Sequence, residues 1–258
     1  VAILEMKLSI IGKGTLAQAV AECCADHFDV FVGEHAEARV VWICHDTPID
    51  ARGVPDTAWV IAEIRETMKV LNRIVKPAER PLILLSSQMP VGTTQLLERE
   101  FSEYEWAVSP ENIRVATATE DFRNQPRVVV GTRHPDSRFV LEQIFEKFTR
   151  HIIFTDPATA EMVKHALNTF LGLQIAFINE VARIAHVVGA DPSVITTGLR
   201  TDFRVSPNAP LRAGAPFGGG HLARDIFTLS DITKARHVHA PIINHITESN
   251  EGTPHGGT

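Results

Sequence analysis

The apolar run Lys7–Ile11 stops at Gly12-Lys13-Gly14-Thr15-Leu16-Ala17, and helix-forming residues follow over 18–24. A strand that breaks on a glycine turn and resumes as a helix opens a βα unit, and this constrains the rest of the chain more than any other feature. The Gly12-x-Gly14-x-x-Ala17 turn lets the backbone approach a pyrophosphate at a helix N-terminus, where free N–H groups and the helix dipole favour negative charge. Gly12, Gly14, Thr15 and Leu16 are therefore candidate contacts for the pyrophosphate of a dinucleotide. Such a glycine pair serves plain backbone packing as well; its place at the head of the first βα unit favours the dinucleotide.

Further strand-like runs fall at 30–32, 40–44, 82–86, 106–108 and 128–131, with helical patterns between several of them, clearest at 58–70. That alternation predicts an α/β fold: a Rossmann-type, mostly parallel sheet with helices on both faces. Glu34 follows Gly14 by twenty residues, at the end of a strand-like run. There an acidic side chain accepts the ribose hydroxyls of an adenosine and repels a 2′-phosphate, selecting NAD over NADP. Only residues 35–39 separate it from the next strand, whereas a parallel crossover usually takes about a dozen or more. The first half of the sheet is therefore expected to be trimmed.

Beyond Thr155, residues 158–188 keep helical apolar spacing and predict one long helix, with Gly189 ending it and Asp191-Pro192 starting another. A Gly/Pro-rich loop (206–220), one last helix near 222–247 and a frayed tail (252–258) complete the expectation. The predicted domains are a dinucleotide-binding domain over 6–155 and a helical central and dimerisation domain over 156–251.

Apolar residues make up 44% of the 258 and charged residues 22%, the balance of a globular rather than a disordered chain. The contiguous apolar runs, such as residues 82–85, fall far short of the ~18 residues of a membrane span, so no membrane is expected as partner. A net charge of −6 without clustered Lys and Arg points to a small-molecule substrate rather than nucleic acid. Three cysteines make no disulfide framework and show no metal-ligand spacing; His237-x-His239 does not suggest a metal either. The N-terminus does not have the layout of a secretory signal. A cytoplasmic protein is expected, with Met6-Lys7 as its natural start and residues 1–5 as an extension.

Several segments gain meaning together. Thr47-Pro48, Gly53-Val54-Pro55-Asp56, Ser86-Ser87-Gln88-Met89-Pro90-Val91-Gly92-Thr93-Thr94, Ser109-Pro110-Glu111-Asn112-Ile113-Arg114, Glu120-Asp121-Phe122 and residues 127–131 come first. Lys164-His165-Ala166-Leu167-Asn168, Phe177-Ile178-Asn179-Glu180 and Phe217-Gly218-Gly219 follow. In order and spacing they resemble the UDP-glucose/GDP-mannose 6-dehydrogenase family, from about Lys7 to Glu251. The resemblance stops where that family begins its nucleotide-sugar-binding domain, which implies a short member.

The resemblance implies NAD-dependent oxidation of a sugar's primary alcohol, with a glutamate, a lysine, an asparagine, a cysteine and an aspartate as its catalytic groups. These fall on Glu111, Lys164, Asn168, His221 and Asp225. The cysteine is thus absent: the chain reads Gly218-Gly219-Gly220-His221-Leu222-Ala223-Arg224-Asp225 where the family has Gly-Gly-Ser-Cys-Phe-Pro-Lys-Asp. A second family glutamate is replaced by Val115. The family's thiolate holds the aldehyde covalently through a second hydride transfer, and imidazole is a poor substitute. Two-electron chemistry needs only a base or cation at the hydroxyl and a nicotinamide facing the C–H. Lys164 and Asn168, four apart on a helix, reach one oxygen. The same Lys-x-x-x-Asn arrangement resembles β-hydroxyacid dehydrogenases.

Bland readings stand beside these. His221 activates water or merely fills the vacated pocket. Asp225 orients His221 or Lys164, or is only a favourable charge at a helix start. Thr47, Pro48 and Ser87 line the cofactor or serve as turn and cap residues. Arg204 matches a family arginine that reaches the neighbouring subunit's substrate, or is a solvated surface residue; Phe217, Gly218 and Gly219 are candidate substrate contacts. The long helix's apolar face suggests a homodimer. The alternative function is a catalytically silent dimeric binding or assembly protein.

Overall fold

The computed structural model describes residues 6–33, 37–50, 54–111, 113–218 and 220–252. Glu34, Gly219, residues 1–5 and 253–258 therefore lie outside the described residues. Contacts divide the chain into two units, one over Val1–Pro48 and Asp56–Lys164, the other over Ile49–Pro55 and His165–Thr258.

The first unit is built on a seven-stranded sheet in the order β2-β1-β3-β4-β5-β6-β7. Its strands are β1 (Lys7–Ile11), β2 (Asp29–Val32), β3 (Val40–Ile43), β4 (Leu82–Leu85), β5 (Trp106–Val108), β6 (Val128–Thr132) and β7 (Ile152–Thr155). Every pairing is parallel except β5 with β6. Successive side chains turn to opposite faces, as the pleat requires, and enter two different cores. Leu8, Ile10, Val40, Trp42, Leu82, Leu84, Val128 and Val130 face one core, with α1 (Thr15–Ala25), α4 (Ala118–Arg123) and α5 (Pro135–Phe145). Ile11, Val41, Ile43, Ile83, Leu85 and Val129 face the other, with α2 (Thr57–Ile74) and α3 (Thr93–Glu100). Two-sided burial is why β3 and β4 read as unbroken apolar runs. Helix α2 shows the complementary pattern: Val60, Ile64, Met68 and Leu71 form its buried stripe, and the Asp56 carboxylate caps it by accepting from the Trp59 N–H at 3.0 Å.

The trimming expected from the short β2–β3 connection is present. β2 and β3 both pair with β1 in parallel, on opposite sides of it. Seven residues reach about 24 Å when extended, while the path back down a four-residue strand and across two strand spacings is roughly 13 Å by 10 Å. A crossover helix is therefore dispensable. Strand β7 is a correction, because the sequence reading placed no strand there. It is an edge strand on which Ile153 is exposed, so its pattern was too short and too half-buried to stand out.

The second unit is helical. Helix α6 (Pro157–Val188) supplies most of its length and ends at Gly189, whose φ of 73° is the left-handed conformation of a C′ glycine. Helix α7 (Pro192–Thr201) starts as expected, with the Asp191 carboxylate accepting from the Ser193 N–H at 2.7 Å. The single final helix expected near 222–247 is instead two, α8 (Gly220–Ala235) and α9 (Pro241–Glu251). Pro241 explains the break: it has no N–H to donate and its ring would collide with a preceding carbonyl, so it occupies the first turn of a new helix. His237 and His239 sit in the connection. Ile226 of α8 and Ile246 of α9 pack with Ala176 of α6, while Ile178 packs with Ala209 and Leu211.

Helix α6 is long and apolar enough to cross a membrane by length and composition alone. It also carries the polar and charged residues Glu161, Lys164, His165, Asn168 and Asn179 buried against protein.

Candidate active site

In the first unit, the described cofactor candidates Gly12, Gly14, Thr15, Leu16, Thr47, Pro48 and Ser87 follow the carboxyl ends of parallel strands. The chain leaves β1 into the Gly12–Gly14 turn, β3 into His45-Asp46-Thr47-Pro48, β4 into Ser86-Ser87 and β5 into Ser109-Pro110-Glu111. The strand order reverses between β1 and β3, the topological switch point at which open α/β sheets take ligands. Gly12 is held by packing: a Cβ there would strike the Cys44 carbonyl of the neighbouring strand. Gly12→Ala is accordingly expected to destabilise the protein by about 1–3 kcal/mol, read as a lowered Tm; an unchanged Tm would show that the strands tolerate separation here.

Hydrogen bonds lock the strand ends. Trp42 Nε1 donates to Ser86 Oγ at 2.8 Å, and Ser86 Oγ donates to the Ser109 carbonyl at 2.6 Å. Thr47 Oγ1 donates to the Gln88 carbonyl at 2.7 Å. Ser87 is 2% exposed and its hydroxyl has no hydrogen-bond partner among the described residues, which leaves it available to a bound group. The turn at the α1 N-terminus and the spare Ser87 hydroxyl fit a dinucleotide.

Asp46 went unnoticed in the sequence. Its carboxylate lies on the Gly14–Thr15 backbone and accepts from the Thr15 N–H at 3.0 Å. A Cβ at Gly14 would fall on that carboxylate. Only the adjacency of β1 and β3 brings Asp46 there, so no local signal could have found it.

Glu111 is buried with both carboxylate oxygens lacking a hydrogen-bond partner among the described residues. Burial drives its pKa up to about 8, opposed by the nearby Lys164 ammonium. Below pH 8 the carboxyl is mainly neutral, the form in which a buried, unbonded carboxyl costs least. Lys164 is itself buried, in the α6 turn that precedes the second unit.

In the second unit, Asp225 is fully buried on α8 and accepts from two neighbours on α6: the Asn168 amide, and His165 Nδ1–H at 2.8 Å. Six residues into α8, it is tied to side chains and is more than a charge at a helix start. His165 is a second residue the sequence reading passed over; its signal was the i, i+3 spacing to Asn168, which puts both on one helix face. Lys164 and Asn168 stand one helical turn apart on α6.

The structure does not gather every candidate. His221 is exposed on the first turn of α8, with Nδ1 accepting from Arg224 Nη2 at 3.3 Å. Arg204 is exposed and forms an ion pair with its near neighbour Asp202 at 2.7 Å. The Phe217 N–H donates to Asn250 Oδ1 at 2.8 Å, pinning the Gly-rich segment to α9; Gly218 is exposed. The described residues contain no group of three or more His, Cys, Asp or Glu arranged to hold a metal. All three cysteines, Cys23, Cys24 and Cys44, are free and buried, and burial pushes each thiol's pKa upward.

Fold and site together define a doubly wound nucleotide-binding domain followed by a helical domain. Comparison makes this specific. Residues 2–149 match the NAD binding domain of the UDP-glucose/GDP-mannose dehydrogenase family, and residues 158–252 match its central domain. The chain belongs to that family. It is 31% identical over 236 residues to a UDP-glucose 6-dehydrogenase of Rickettsia bellii (strain RML369-C), covering 88% of this chain and 52% of that protein. It is 30% identical over 219 residues to UDP-glucose 6-dehydrogenase TuaD of Bacillus subtilis (strain 168), covering 82% and 46%. The chain thus spans about half the length of the relatives it matches. Among solved structures, a UDP-glucose dehydrogenase from Pyrobaculum islandicum shares the fold with a TM-score of 0.85 at 22% identity, covering 97% of this chain and 69% of that one.

Proposed function

We propose that this chain is a cytoplasmic NAD-dependent oxidoreductase. It acts on the CH–OH group of a sugar, nucleotide sugar or related small hydroxylated substrate, by a two-electron alcohol/carbonyl interconversion. The observation that carries the two-electron reading is the state of the thiols. The family's cysteine position holds His221, and all three cysteines of the chain are buried with raised pKa values. Burial holds these thiols back from the thiolate form that a four-electron oxidation through a thioester requires.

In this reading Gly12, Gly14, Thr15, Leu16, Thr47, Pro48 and Ser87 hold NAD, with Glu34 on its ribose. Bound there, NAD would supply the hydride acceptor. Lys164 takes the hydroxyl proton or stabilises the alkoxide, and Asn168 donates to the same oxygen. Asp225 fixes the Asn168 amide by accepting one of its N–H groups, so that the amide presents its remaining groups in one orientation. Glu111, neutral below pH 8 and close enough to Lys164 to feel its charge, is suited to exchanging a proton with it. His221 holds the place of the missing nucleophile without covalent chemistry, and Phe217, Gly218, Gly219 and Arg204 contact the substrate.

The test uses purified protein, NAD, and a panel holding UDP-glucose, GDP-mannose and small hydroxy acids. Reduction of NAD is expected, and Lys164→Met is expected to lower kcat at least 100-fold while leaving NAD affinity within threefold. Turnover unaffected by Lys164→Met would overturn the assignment. NAD binding without reduction in any assay would favour a silent binding protein.

A homodimer belongs to the same proposal. Phe170, Phe177, Ile184, Val187 and Val188 are all more than half exposed on α6, at spacings that place them along one side of the helix. We assign this stripe to a second copy. Phe177→Asp combined with Ile184→Asp is expected to halve the mass measured by light scattering, and a wild-type monomer at micromolar concentration would contradict the assignment.

A further inference from the structure

We propose that Asp46 sets the affinity of the dinucleotide site by competing, as an internal anion, for the seat of the cofactor pyrophosphate. The inference deepens the NAD-binding reading above and rests on it. A glycine in the middle of a strand–helix turn allows an anion to lie directly on the backbone at the helix N-terminus. At Gly14 that close approach is made by the Asp46 carboxylate: a Cβ on Gly14 would collide with it, and Thr15 donates its backbone N–H to Asp46 Oδ2 at 3.0 Å. The first turn of α1 contains no acidic residue of its own, and Gly14 as its N-cap supplies no side-chain bond. The carboxylate that serves this end is borrowed from beyond β3, across the switch point.

An anion at this place opposes a second one. A pyrophosphate carries two negative charges, and one seated on the turn would compete for the N–H that Asp46 holds. The two cannot share that donor, and their charges repel at close range. Asp46 is solvent-exposed. It therefore yields by rotating outward, exchanging one protein hydrogen bond for water, so the contact weakens cofactor binding without abolishing it.

The two obvious substitutions separate charge from hydrogen bonding. Asp46→Asn keeps an oxygen that accepts from Thr15 but removes the negative charge; Asp46→Ala removes both. Calorimetric titration with NAD and with the unreactive fragment ADP-ribose reads affinity without turnover. Both variants are expected to bind each ligand at least tenfold more tightly than wild type. In 15N spectra, saturating wild-type protein with ADP-ribose is expected to move the Thr15 amide resonance, as loss of the Asp46 contact requires. Equal affinities in the three proteins, or weaker binding by the variants, would overturn the role of Asp46 while leaving NAD binding intact. Failure of all three to bind at 10 mM would overturn the cofactor reading and this role with it. Binding by the variants alone would support both.

Discussion

Replacing Asp225 by alanine is expected to destabilise the protein by about 2–5 kcal/mol, the range for leaving two buried hydrogen-bond donors unsatisfied. Asp225 is fully buried and accepts from His165 and from Asn168, so its loss leaves two buried donors without their acceptor. Asp225→Asn is expected to cost less, about 1–3 kcal/mol, because one oxygen survives while an N–H group must face another donor. Urea unfolding at pH 7 measures both. A midpoint shift at constant slope is the predicted result, and a loss below about 1 kcal/mol for Asp225→Ala would mean that His165 and Asn168 find other partners. A purely structural loss would leave the activity per folded molecule unchanged. The proposed role predicts instead that Asp225→Asn lowers kcat even where the protein is fully folded.

Glu111 should leave its mark on the pH dependence of stability. Its folded pKa lies near 8 and its ordinary value at 4.5, because burial disfavours the carboxylate more than the Lys164 ammonium favours it. Between those pH values the folded state holds a proton that the unfolded state has released, so stability falls as pH rises through this window. The slope approaches about 1.4 kcal/mol per pH unit in its middle and vanishes above pH 8, where both states are ionised. Glu111→Gln, similar in shape and unable to ionise, removes this loss and is expected to be more stable than wild type at pH 8 by a few kcal/mol. Chemical denaturation of the pair from pH 5 to pH 8 tests it through the difference between the two curves, which cancels the contributions of other groups. Parallel curves would show that Glu111 titrates normally. If the neutral carboxyl is also the form that serves Lys164, the pH profile of kcat should change near pH 8 in wild type and not in Glu111→Gln.

Much of this was written in the chain. Strands β3 and β4 declare themselves because both faces are buried, so apolar residues run without alternation. The long helix α6 and its glycine stop follow from spacing and from one residue that tolerates positive φ. The break between α8 and α9 was signalled by Pro241 and overlooked, because the apolar spacing carries on across it. Strand β7 was hidden by its half-exposed edge position. What no single sequence displays is adjacency between distant segments. Asp46 reaches Gly14 only because β3 lies beside β1, and Asp225 meets His165 and Asn168 only because α8 packs on α6. Asp46 was an ordinary acidic residue by local criteria, and Asp225 was singled out by the family resemblance without its partners. The proposed departure at His221, by contrast, rests on motif order alone, and the burial of the chain's three thiols is what gives it chemical weight in that proposal.

The electron count of the reaction tests the account most directly. With purified protein, excess NAD and a limiting amount of whichever alcohol it oxidises, the yield of NADH should be one equivalent per substrate, with an aldehyde or ketone trapped as product. Two equivalents together with a carboxylic acid would contradict the account, as would the absence of any NAD reduction across sugars, nucleotide sugars and small hydroxy acids.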